Sequence, residues 1–118
     1  MNPELLSIDS EHREGRLILY LRGDIDLSNA QRLQQRIQHA VAGESNVVLD
    51  LTSVAYIDSQ GLRLLSQLSK SLSRQGSTFQ LIAYRGTFVR SVLELTHIDE
   101  DVEVLDTIDD ARGRPTPP

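Results

Sequence analysis

The chain has no cysteine among its 118 residues. That excludes disulfides, thiolate nucleophiles and Cys-ligated metal sites, and it leaves the redox compartment open. No uninterrupted apolar run approaches the roughly 20 residues that a membrane span requires. Met1 to Glu14 is polar and acidic rather than signal-like, so the expected location is cytoplasmic. Basic groups are also few, 12 against 17 acidic ones for a formal net charge of -5. Nucleic acid binding normally leaves a basic footprint, and the arginines here are dispersed, so no direct contact with DNA or RNA is expected.

What is present reads as one ordinary globular domain. At this length roughly 65% of the surface is buried on folding, enough for a core without staples. Hydrophobic content of 39% and charged content of 25% fit that class. Residues 1–4 are expected to be a flexible arm, 5–110 the domain, and 111–118, with three of the four prolines, a disordered tail. Leu5 to Ile8 reads as a short edge strand and Glu11 to Gly15 as a hairpin turn. Arg16 to Arg22 places apolar residues on both faces, which predicts an interior strand broken by Gly23-Asp24-Ile25-Asp26.

Ser28 with Gln31 has the form of a capping box. Ala30, Leu33, Ile37, Ala40 and Val41 follow as one apolar stripe, with Gly43 as terminator. Val47 to Leu51 predicts a strand buried on both faces, continued by Val54 to Ile57. A second helix is expected from Ser59 or Gln60 to Arg74, facing inward through Leu62, Leu65, Leu68 or Ser69, and Leu72. Thr78 to Ala83, a short Thr87-capped helix and Val102 to Leu105 complete a strand–helix–strand order that predicts parallel crossovers. Asp106 to Ala111 reads as a partial helical turn. Glu94, Asp99, Glu100, Asp101, Glu103, Asp106, Asp109 and Asp110 gather near the end, as a solvated face or part of a surface matched to a basic partner.

Motifs for catalysis are missing. Ser59 has Gly61 two residues after it but Ile57 two before, which departs from a nucleophile elbow. His12, His39 and His97 show no metal-ligand spacing, and no GxGxxG or Walker-type loop exists. The chain is read as not an enzyme, with no catalytic residue, metal or cofactor. Ser59 itself stands at a helix start after a carboxylate. Its hydroxyl suits three roles: a helix cap, a small-anion contact, or an acceptor of phosphate that the helix dipole tolerates.

Four stretches resemble the STAS domain of bacterial anti-sigma factor antagonists in order and spacing. They are Leu21-Arg22-Gly23-Asp24-Ile25-Asp26, Val47-Val48-Leu49-Asp50-Leu51, Tyr56-Ile57-Asp58-Ser59-Gln60-Gly61-Leu62, and Phe88-Val89-Arg90-Ser91-Val92-Leu93-Glu94-Leu95. The Asp-Ser-x-Gly-Leu run is the most specific. The resemblance implies an α/β fold, a small mixed β-sheet with helices packed mainly on one side. It implies that the unphosphorylated form binds a serine-kinase anti-sigma factor and frees a sigma factor, that phosphorylation at Ser59 switches it off, and that a PP2C-type phosphatase restores it.

By the same resemblance Asp24, Asp26, Asp58, Ser59, Gln60, Gly61, Leu62 and Arg63 form the partner surface, with Gly61 permitting close approach and Leu62 anchoring the helix. Gln60 fills a position where many relatives carry Ser, Thr or Ala. His97 stands where relatives often have glycine, so a different helix end is expected there. The alternative within the same domain class is a non-phosphorylated binding subunit of a lipid-trafficking ABC transporter or a scaffold complex.

Overall fold

The computed structural model describes residues 7–112. The arm expected at residues 1–4, and residues 113–118 of the expected tail, lie outside the described residues.

Five strands form one sheet in the order β1-β2-β3-β4-β5. β1 (Ser7–Arg13) runs antiparallel to β2 (Arg16–Ile25), while β3 (Asn46–Ile57), β4 (Thr78–Ile82) and β5 (Glu103–Leu105) continue parallel to β2. Between the parallel strands come α1 (Ala30–Val41), α2 (Ser59–Gln75) and α3 (Phe88–Leu95), and α4 (Ile108–Arg112) follows β5. Each crossover steps across the sheet in the same direction. Right-handed connections then place the crossover helices on one face, as the resemblance implied.

The covered face is aliphatic. Leu17, Leu19 and Leu21 of β2 and Val47, Leu49 and Leu51 of β3 meet Leu33 and Ile37 of α1 and Leu64, Leu65, Leu68 and Leu72 of α2. Each such side chain, fully buried, contributes roughly 1.5–3 kcal/mol. Leu62, expected inward, is only partly buried at the rim of this core, and Leu64 takes the interior position. The opposite face carries a small cluster of Ile18, Val48 and Ile82, bordered by Tyr20, Leu105 and Ile108.

Three local expectations are corrected. Leu5 and Leu6 of the expected first strand lie outside the described residues; β1, described from Ser7, runs through Glu11 to Arg13, leaving only Glu14 and Gly15 in the turn, both at positive φ (54° and 77°). A two-residue turn of that hand matches strand twist. Polar residues are tolerated on this edge strand because they pair along it: the Tyr20 hydroxyl donates to Glu11 at 2.7 Å and Arg13 to Glu11 at 3.0 Å. These bonds, Tyr20's foremost, hold the Glu11 carboxyl below its ordinary pKa.

β2 does not break at Gly23. Its ladder with β3 continues to Ile25 through two irregularities, at Tyr20/Arg22 and Gly23/Ile25. α1 begins at Ala30 rather than Ser28, with Asn29 at the N-cap and no side-chain cap bond. Asp26 Oδ1 captures both the Ser28 amide and its hydroxyl, which removes the capping box.

The last third is tied by one buried cation. Arg90 Nη1 donates to the Ala83 carbonyl at 2.8 Å and to Asp106 Oδ1 at 2.7 Å, and its Nε reaches Glu94 Oε2 at 3.0 Å. α3 is thereby joined to the ends of β4 and β5. Thr87 caps α3 as expected, accepting from the Arg90 amide at 3.2 Å. His97 ends it in the left-handed region, φ 62° and ψ 21°.

Candidate functional site

β3 outruns β4. Its last partner there is Asp50, opposite Ile82, so Leu51 to Ile57 pair on one side only, with β2. α3 packs against β3, and α2 leaves from its tip. The β2–α1 loop, the β3–α2 junction and the start of α3 therefore meet at one end of the sheet.

Asp58 is the hub of that end. Its Oδ1 accepts the amides of Gln60 at 2.8 Å and Gly61 at 3.1 Å, making it the N-cap of α2. Its Oδ2 accepts the Leu27 amide at 3.0 Å, and its own amide donates to the Ile25 carbonyl at 3.1 Å. One carboxylate thus fixes both the start of α2 and the loop that follows β2. The loop is braced again by Asn29, whose Oδ1 accepts the Asp26 amide at 3.1 Å and whose Nδ2 donates to the Asp24 carbonyl at 2.8 Å.

With Asp58 in the cap, Ser59 is the first residue of the helix. Its side chain is exposed, and its hydroxyl takes no hydrogen bond among the described residues. Two of the three roles open to Ser59 change accordingly. The cap is made by Asp58, and the two nearest amides are already occupied, so they offer no empty anion cradle. What is left is an accessible hydroxyl on a rigid helix start.

Gly61 is buried and closely approached. A Cβ at that position would lie 2.5 Å from Ile57 Cγ1 and 2.8 Å from Ile25 Cγ2. The absence of a side chain lets the first turn of α2 rest on the strand ends, and this sets the height at which Ser59 stands. Gln60 and Arg63 line a groove of about 260 Å³ between α1 and α2, together with Ala30, Gln31, Gln34 and Gln67. Asp24 is exposed, and Asp26 is partly buried beneath its own turn. The fold thus brings Asp26, Asp58, Ser59 and Gly61 to one junction, with Gln60 and Arg63 turned along the helix groove.

Leu27 and Asn29 had no place among the sequence candidates. Leu27 is 74% exposed although apolar and held by Asp58. A leucine set between Asp26 and Ser28 in a turn was the available signal. No group of three or more His, Cys, Asp or Glu residues capable of holding a metal occurs among the described residues. No helix among them is long and apolar enough to cross a membrane.

The sheet order, the one-sided helices and this junction define a STAS domain, and the family model matches residues 7–111: the chain belongs to the STAS domain family. The anti-sigma-F factor antagonist RsfB of Mycobacterium tuberculosis is 29% identical over 110 residues, covering 92% of this chain and 88% of its own. BtrV of Bordetella bronchiseptica is 36% identical over 84 residues, 70% of this chain and 72% of its own. The crystal structure of an anti-sigma factor antagonist from Mycobacterium paratuberculosis superposes with a TM-score of 0.84 at 28% identity, covering 94% of each chain.

Proposed function

We propose that the chain is a cytoplasmic anti-sigma factor antagonist switched by phosphorylation. Unmodified, it binds a serine-kinase anti-sigma factor and frees a sigma factor; phosphorylated at Ser59 it lets the kinase go, and a PP2C-type phosphatase resets it. The carrying observation is the uncommitted, exposed hydroxyl of Ser59 beside a fully committed Asp58. A kinase can take this hydroxyl without breaking any hydrogen bond of the fold. The near full-length similarity to the antagonist RsfB supports the same function.

Phosphorylation adds about two negative charges and three acceptor oxygens. At the first turn of a helix the dipole favours negative charge by about 0.3–1 kcal/mol. The adjacent Asp58 carboxylate opposes it, because its own acceptors already use the Gln60 and Gly61 amides. The added charge is therefore displayed at the surface rather than absorbed into the helix end. Asp24, Asp26, Gln60, Leu62 and Arg63 complete the surface that a partner reads.

Incubation with the genomically neighbouring serine kinase and ATP tests the acceptor. Mass spectrometry is expected to find one phosphoryl group, on Ser59, and none on the Ser59→Ala variant. Modification at another residue, with Ser59 untouched, would remove the switch.

A further inference from the structure

No aromatic residue is fully buried: Phe79 and Tyr20 pack against the core only from its margins. The five aromatics are Tyr20, Tyr56, Phe79, Tyr84 and Phe88, and none is among the buried side chains. Among the described residues the exposed large hydrophobics are Leu27, Tyr56, Tyr84, Phe88 and Leu95. Tyr56 and Phe88 are stacked, with ring centroids 5.6 Å apart and planes within 9°, while each stays about half exposed, at 44% and 50%. They come from β3 and from the first residue of α3, elements that the buried Arg90 and the core hold in place.

We infer that the Tyr56–Phe88 stack, with the exposed Leu27 at the same end of the sheet, is the apolar anchor by which a kinase that takes Ser59 docks on this chain. This rests on the Ser59 proposal and adds a surface that sets affinity separately from phosphoryl acceptance. Position is the first reason. Tyr56 precedes Ser59 by three residues, which span at most about 10 Å of chain, and Leu27 is bonded to Asp58, the residue next to Ser59. An ordinary interface buries about 800 Å² per partner, a disc of about 16 Å radius. A protein that seats Ser59 in its active site with such a footprint reaches both.

Preorganisation is the second reason. Rings already stacked in the free protein lose little freedom on binding, and Tyr and other aromatics dominate the energetics of interface centres. Charge is the third. The chain carries a net -5, and the carboxylates of Asp24, Asp26 and Asp58 lie at the same end, so a second like-charged copy is disfavoured and a heterologous partner with basic groups around an apolar recess is favoured.

The test measures, for the neighbouring serine-kinase anti-sigma factor, both the affinity for unmodified protein and the rate of Ser59 phosphorylation at saturating kinase. Wild type is compared with Tyr56→Ser, Phe88→Ser, the conservative Phe88→Tyr, and His39→Ser far along α1. Melting curves establish that each variant is folded. Tyr56→Ser and Phe88→Ser are expected to bind about tenfold or more weakly, with the saturated rate within about twofold of wild type, while Phe88→Tyr and His39→Ser bind as wild type does.

Serine variants that bind with unchanged affinity overturn the anchor and leave the Ser59 switch standing. Loss of binding in those variants, in a wild type that binds but is never phosphorylated, keeps the anchor and overturns the switch. A wild type that neither binds nor is modified overturns both. A concentration-dependent dimer that Phe88→Ser dissolves assigns the patch to a second copy and overturns the anchor.

Discussion

The Leu27 amide donates to Asp58 Oδ2 at 3.0 Å, while the other oxygen of the same carboxylate caps α2. Residues 31 positions apart are therefore held by one side chain, and the surface around Ser59 inherits its shape from that bond. Asp58→Ala should cost about 1–2 kcal/mol, the upper range for a lost cap, because a loop amide is released as well. Asp58→Asn, which retains an acceptor oxygen, should cost less. Urea unfolding of the two variants measures both, and a loss below about 0.3 kcal/mol for Asp58→Ala would show that water replaces the carboxylate at no cost.

Gly61 reverses the usual rule for helical glycine. In an ordinary helix Gly→Ala is stabilising by roughly 0.5–1 kcal/mol. Here the new methyl would lie 2.5 Å from Ile57 Cγ1 and 2.8 Å from Ile25 Cγ2, both on side chains fixed in the core. Gly61→Ala should destabilise by about 1–3 kcal/mol through overpacking. A variant as stable as wild type in urea would mean that the helix start can rise without penalty.

His97 occupies the left-handed region at φ 62° with a full side chain. That conformation costs roughly 1–2 kcal/mol for a residue with a Cβ, and glycine returns part of the gain through its more flexible unfolded state. His97→Gly should raise stability by about 0.5–1 kcal/mol, readable as a higher melting temperature. A lower one would show that the His97–Glu100 contact at 3.0 Å outweighs the strain.

Arg90→Met should cost about 1–3 kcal/mol, since the Ala83 carbonyl and Asp106 both lose a charged donor while Asp106 keeps Arg85. The same cluster gives an acid response. Arg85, and then Arg90, hold the Asp106 carboxyl below its ordinary pKa. A depressed carboxylate contributes its stability above the unfolded pKa, about 3.9, and loses it as the pH falls through the folded value. Stability should decline below about pH 4, and Asp106→Asn should remove part of that slope. An unchanged slope in a pH series of urea midpoints would place the acid response elsewhere.

The sheet was legible in the sequence because its inward residues leave a strong pattern: Val47 to Leu49 without a polar break, two-sided Arg16 to Arg22, and leucines at helical spacing through α2. The Thr87 cap was legible too, since both partners lie within one turn. Polar strand ends were not. Glu11 to Arg13 resemble a turn until Tyr20 arrives from the neighbouring strand, and Gly23 resembles a break until the protruding β3 pairs past it. Competition among caps was also hidden. Ser28 and Ser59 both have cap chemistry, yet Asp26 captures the first, and Asp58, placed by the end of β3, takes the role from the second. Little local marks Arg90 as buried: Glu94 is the ordinary helical neighbour, and the two acceptors of its Nη1 lie 7 and 16 residues away.

The most direct measurement is the affinity of one kinase-type anti-sigma factor for the unmodified protein and for the same protein phosphorylated at Ser59, titrated side by side. Phosphorylation should weaken binding by about tenfold or more, since about two charges are added within the docking surface. Ser59→Ala should bind as the unmodified protein does and stay bound when ATP is added. Equal affinities for the modified and unmodified forms would contradict a switch at Ser59.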